Sequence, residues 1–164
     1  MSTEFQRSVN YTWPQGYAGG VASANPRRSV ISPEAGFRAG SSGLLIAAFA
    51  WVNQDGMTVS NTGNGKPAGF VHRDQQGLTT QYLQGATMSI PAGFAVTLSS
   101  GGDYWALSQT DATVGQSVYA STKDGTLQTA APGSAPQNTV DTGWIVTQGA
   151  PAGTEIIITG PLTA

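Results

Sequence analysis

The sequence predicts an all-β fold: a small antiparallel β-barrel or sandwich with an extended N-terminal arm. Three observations predict it. The strong helix formers Glu and Lys are scarce in the 164-residue chain, whereas Gly and β-branched residues abound. One turn word, Pro-Ala-Gly, occurs at Pro67, Pro91 and Pro151. Short apolar stretches alternate with turn chemistry about every eight to twelve residues, the spacing of strands in barrels and sandwiches.

The elements follow in order. Residues 1–33 scatter aromatics, Gly and Pro without strand or helix period, as in Tyr11-Thr12-Trp13-Pro14, Gly16-Tyr17-Ala18-Gly19-Gly20 and Asn25-Pro26-Arg27-Arg28. That pattern describes an extended arm without a core of its own, set against a β domain over residues 34–164. The rings of Tyr11, Trp13 and Tyr17 are expected to pack back onto the domain or to dock on a neighbour as aromatic anchors. Residues 44–52 are apolar and run into Asn53-Gln54-Asp55-Gly56, a strand buried on both faces followed by a turn. A core helix fits that apolar run almost as well, and the β-branched and aromatic neighbours favour the strand.

Asn61-Thr62-Gly63-Asn64-Gly65 tolerates positive φ and reads as a loop. Pro67-Ala68-Gly69-Phe70-Val71 and Pro91-Ala92-Gly93-Phe94-Ala95-Val96 each lead from a turn into a strand. In every Pro-Ala-Gly word, Pro is expected at the first central turn position, with Gly relieving the reversal that follows. Asp124-Gly125, between Val118-Tyr119-Ala120 and Thr126-Leu127, signals a hairpin. Residues 130–138, with Pro132, Gly133 and Pro136, read as a flexible loop. A closing hairpin follows, formed by Gly143-Trp144-Ile145-Val146-Thr147 and Glu155-Ile156-Ile157-Ile158-Thr159.

Composition sets several functions aside. Charged residues make up 10% of the chain, against about a quarter in an average domain. A net charge of −2 without any Lys/Arg run argues against nucleic acid and against anionic membranes as partners. The absence of Cys removes disulfides and thiolate metal sites. The apolar run at 44–52 is too short to cross a bilayer as a helix. Residues 1–10 carry no apolar signal region, so synthesis in a cytoplasm is expected. Sparse charge suits contact with other proteins, because interface cores are depleted in it.

Chemistry is equally sparse. His72 is the single histidine, and strand alternation places it on one face with Asp74 and opposite Arg73, where a structural hydrogen bond accounts for it. No nucleophile elbow surrounds any Ser. Asp55, Asp103 and Asp124 lie beside Gly in turn contexts, where a short carboxylate bonds its own backbone. Glu155 reads as a solvated flank of a strand. Asp103 and Asp111 belong to no calcium loop, and Lys66 lacks the Ser or Thr that ends a phosphate loop. No catalytic residue, cofactor or metal is expected, and the protein reads as a non-enzyme. Trp51, Trp105 and Trp144 could form a sugar-stacking platform, but their apolar, strand-like contexts predict burial.

Several words carry a family resemblance. The stretch Val59-Ser60-Asn61-Thr62-Gly63-Asn64-Gly65-Lys66-Pro67-Ala68-Gly69-Phe70-Val71-His72-Arg73-Asp74-Gln75-Gln76-Gly77-Leu78 resembles the structural cement proteins of tailed bacteriophage capsids. So do Ala22-Ser23-Ala24-Asn25-Pro26-Arg27-Arg28-Ser29, Tyr82-Leu83, Ile90-Pro91-Ala92-Gly93 and Gly102-Asp103-Tyr104-Trp105. The resemblance implies a β-rich protein on the outside of an icosahedral head, bridging major capsid protein subunits against the pressure of packaged DNA, with no catalytic activity. Its expected partners are the major capsid protein and further copies of itself, as a homodimer or homotrimer. On this reading Tyr11, Trp13 and Tyr17 anchor the arm, while Arg27 and Arg28 pair with carboxylates of the capsid. The alternative is a carbohydrate- or receptor-binding β domain of a phage fibre, although no stalk repeat or heptad pattern accompanies it.

Overall fold

Two ten-residue strands, Leu98–Leu107 and Thr139–Gln148, organise the chain. The computed structural model describes residues 14–73 and 87–161. Among these there is no helix. The strands are β1 (Arg28–Ser29), β2 (Phe37–Ala39), β3 (Leu44–Leu45), β4 (Phe49–Val52), β5 (Thr58–Ser60), β6 (Gly69–Val71), β7 (Ser89–Ile90), β8 (Ala95–Val96), β9 (Leu98–Leu107), β10 (Ser117–Ser121), β11 (Leu127–Ala130), β12 (Thr139–Gln148) and β13 (Glu155–Gly160). Ten pair in the order β11-β10-β12-β13-β9-β6-β4-β5-β2-β8, β1 joins on β9, and β3 and β7 form a separate pair.

Two features depart from an antiparallel barrel. The β2–β5 pair is parallel. The chain passes through β3 and β4 between them, which supplies the long crossover that a parallel pair needs. The strand order also has two ends, β11 and β8, that do not pair with each other, so the sheet does not close into a barrel.

The sheet nevertheless wraps over itself. Phe49 on β4 and Trp144 on β12 stand four steps apart in the strand order, yet their ring centroids are 5.7 Å apart. A flat sheet with about 4.8 Å between strands would separate them by roughly 19 Å. Phe70 and Tyr104 complete the cluster, with ring centroids 5.8 and 6.0 Å from Trp144. Turn-to-strand bonds hold the curl: Phe49 N donates to Gly125 O at 2.9 Å and Gly63 N to Thr122 O at 3.1 Å, while Thr62 Oγ1 donates to Lys123 O at 2.9 Å. Gly125 has φ +68°, and a Cβ there would lie 2.1 Å from the Phe49 carbonyl oxygen, so only glycine fits the seam.

The hairpins predicted around Asp124-Gly125 and across residues 149–154 are present as β10–β11 and β12–β13. Period-2 alternation buries Ile156, Ile158 and Gly160 on β13 and Thr142, Trp144 and Val146 on β12. Residues 44–52, in contrast, are not one strand. Ala47 sits between β3 and β4 with φ 60°, its N–H donating to Val71 O at 2.9 Å, and that left-handed residue turns the chain from the small sheet into the large one. The unbroken apolar composition conceals this break, because polarity never changes across it, although Leu45 and Val52 are exposed.

The repeated Pro-Ala-Gly word serves two purposes. At 91–94 and 151–154 it makes a turn, with Phe94 N bonded to Pro91 O and Thr154 N to Pro151 O. Gly93 and Gly153 have φ +80° and +77°. Pro therefore stands at the first corner, one place earlier in the turn than expected, with Ala at the first central position and Gly where a type II turn demands it. At 67–69 the word makes no such turn. Gly69 is strand, and a Cβ on it would lie 2.7 Å from Ser99 O, so that glycine serves close approach of β6 to β9.

Candidate functional site

β9 is the strand on which the rest of the chain converges. Residues 19–30 run alongside it: Gly19 N donates to Trp105 O, Trp105 N to Gly20 O, Ala22 N to Asp103 O, and Val30 N to Leu98 O, all within 2.7–2.9 Å. Val21 bridges Tyr104, which pairs with Ile158 of β13 on its other side. β1 and β6 both register on Ser99, through Ser29 and Phe70. The end of the word Ala22-Ser23-Ala24-Asn25-Pro26-Arg27-Arg28-Ser29 and the word Gly69-Phe70-Val71-His72-Arg73 thus meet at one residue.

Asp103 locks this junction. The glycine before it predicts a turn carboxylate, but it lies inside β9 and is 9% exposed. Its Oδ2 accepts Ser23 Oγ at 2.5 Å and Asn25 Nδ2 at 2.7 Å, and its Oδ1 accepts Thr159 Oγ1 at 2.8 Å. Burial pushes its carboxyl up, and the Ser23, Thr159 and Asn25 donors outweigh that, holding it below the ordinary aspartate range. Asp55 and Asp124 do behave as turn carboxylates. Asp55 Oδ1 accepts Met57 N and Thr58 N, and Asp124 Oδ1 accepts Thr126 N.

His72 faces Ser99, its Nδ1 standing 3.1 Å from Ser99 Oγ, and its ring lies 5.8 Å from that of Tyr104. Asp74, its expected partner, lies outside the described residues. Ser99 is 2% exposed, so His72→Ala would leave its hydroxyl short of a buried partner. A cost of about 1–3 kcal/mol is expected, measurable as a lowered urea midpoint.

The contact candidates separate in space. Tyr11 and Trp13 lie outside the described residues. Tyr17 is 59% exposed, with the Arg73 guanidinium 5.2 Å from its ring centroid, while Arg73 N donates to Gly19 O. Tyr17 also borders an apolar groove of about 400 Å³, lined by Leu45, Ile46, Met88, Leu107 and Leu127. Arg27 is exposed. Arg28 turns inward, its Nε donating to Ser100 Oγ at 3.0 Å. Of the three tryptophans expected in the core, Trp51 and Trp144 are buried, whereas Trp105 is half-buried under Gly16. Among the described residues no three His, Cys, Asp or Glu side chains cluster as a metal site would require.

No curated protein matches the chain. In the structure titled the capsid of Myoviridae phage XM1, one chain is similar at 15% identity and a TM-score of 0.60, covering 98% of this chain and 99% of its own. The N base of head fibre gp8.5 of bacteriophage phi29 is similar at 16% identity and a TM-score of 0.45, over 76% of this chain and 90% of that one. The profile of the XM1 gp53 minor capsid protein family matches residues 5–159. With that match running almost end to end, the chain belongs to the XM1 gp53 minor capsid protein family, a phage capsid-associated structural protein.

Proposed function

We propose that this minor capsid protein is a cement or decoration protein, which binds the outer surface of the head and braces the major capsid protein lattice against internal DNA pressure. The observation that carries the reading is the family match over residues 5–159, joined by a fold shared over nearly the full length with a chain of a phage capsid. The residues suit such work. A surface poor in charge lies readily against protein, and many copies on one lattice gain avidity from modest single contacts. The protein is made in the host cytoplasm and acts on the virion exterior. Copies associate as closed dimers or trimers around local symmetry axes.

The test mixes purified protein with undecorated, expanded heads and measures co-sedimentation. Stoichiometric attachment is expected. Binding to glycans without binding to heads would favour the fibre-domain alternative instead. The arm is tested by removing residues 1–13, a cut that spares the strand pairing of residues 19–30 with β9. The truncated protein should unfold at an unchanged temperature and bind heads at least about tenfold more weakly, the loss of one or two aromatic anchors. Undiminished affinity would remove Tyr11 and Trp13 from the contact.

A further inference from the structure

We infer that Arg27, Ser29 and Ile31 form a single docking strip for a shell-protein surface that presents a carboxylate beside an apolar patch. The inference rests on the decoration reading and names the chemistry of the partner face. Along this stretch the side chains alternate. Arg27, Ser29 and Ile31 are exposed, whereas Arg28 and Val30 point inward, Arg28 to Ser100 and Val30 against the core. Arg27 and Ser29 open on one hollow, and Ile31 follows two residues on as the next outward position.

The strip is fixed before any partner arrives. Ser23 and Asn25 are tied to Asp103, and the Arg27 side chain packs over Gly102, where a Cβ would come within 3.1 Å of its Cγ. Val30 N bonds Leu98 O at 2.8 Å and Gly36 N bonds Pro33 O at 2.8 Å, so Ile31 is held at 94% exposure between pinned backbone groups. A nearly naked isoleucine on an ordered backbone loses little entropy on docking.

Electrostatics selects the partner. Arg27 and Ser29 border a polar hollow of about 590 Å³ that is also lined by Asn25, His72, Thr97 and Ser99. Among the described residues no carboxylate lines it, and the neighbouring Asp103 already accepts three hydrogen bonds. A guanidinium with hydroxyl and amide donors around it receives a carboxylate well. A phosphodiester would meet a chain of net charge −2 and gain nothing from Ile31, so a protein surface is favoured over nucleic acid.

The experiment compares head binding by the full chain and by Arg27→Glu, Ile31→Asp and Val114→Asp, the last on a residue 71% exposed in another loop. The first two should each weaken binding about tenfold or more at unchanged melting temperature, with the Arg27→Glu loss shrinking at high salt. Val114→Asp should bind as the unaltered protein does. A photo-crosslinker at position 31 should capture shell protein at a segment containing Asp or Glu. If the unaltered protein decorates heads and both strip variants do so equally well, the strip is overturned while decoration stands. Capture of DNA at position 31 would overturn it too. Failure of the unaltered protein to bind heads would remove both readings.

Discussion

Trp144→Ala is expected to lower the unfolding free energy by about 3–5 kcal/mol, the range for removing a large buried aromatic. The ring is 3% exposed and stands within 6.0 Å, centroid to centroid, of Phe49, Phe70 and Tyr104. Those neighbours come from β4, β6 and β9, so one side chain on β12 touches three strands that lie two to four steps away in the strand order. Collapse around the lost ring is restricted, because Gly160 already packs so closely that a Cβ there would lie 2.7 Å from the indole. A domain of this kind has about 5–15 kcal/mol in all. The variant should therefore melt on the order of 10 °C lower and lose much of its near-ultraviolet dichroism. Its urea midpoint should fall at unchanged m-value. A cost below about 1 kcal/mol would mean that the wrapped sheet is not held together through this residue.

Much of the fold was legible because local chemistry decided it. The β10–β11 hairpin follows from Asp124-Gly125, and the alternation in residues 155–159 reads directly as a strand with one face inward. What stayed hidden depends on contacts between distant residues. The break at Ala47 sits in an unbroken apolar run, and only the approach of Val71 O shows why the chain turns there. Gly69 and Gly93 occupy identical words, yet one glycine admits Ser99 O and the other supplies a positive φ. The junction at β9 is spelled out as two separate words, one ending in Arg27-Arg28-Ser29 and the other beginning Gly69-Phe70, and the meeting of Ser29 and Phe70 at Ser99 is a property of strand order. Arg27 and Arg28 stand in the sequence as equivalent adjacent cations. Strand alternation divides them, sending Arg28 to Ser100 and leaving Arg27 outside.

Asp103→Ala is expected to release residues 19–29 from β9 at a cost of about 2–4 kcal/mol, since hydrogen bonds to a charged group contribute roughly 1.5–3 kcal/mol each and are not additive. Three donors lose their acceptor: Ser23 and Asn25 on the arm side, Thr159 on β13. Hydrogen exchange should locate the loss. The amides of Gly19 and Ala22, which bond Trp105 O and Asp103 O, should exchange faster, while Val146, bonded to Gln116 O within the sheet, should keep its protection. Acid should reproduce the effect in the unaltered protein. The folded-state pKa of Asp103 lies below its ordinary value of 3.8, so its contribution is complete at neutral pH and drains away as pH falls below about 4 through the folded value. Asp103→Asn keeps the size of the side chain and removes the titration, so its arm should be looser at pH 7 and lose less on acidification. Because Asn25 precedes Arg27 by two residues, slackening at Asp103 should also cost head affinity through the outward strip while leaving every strip residue unchanged. A variant with fast exchange at Gly19 and Ala22 but full affinity would separate the clamp from the contact.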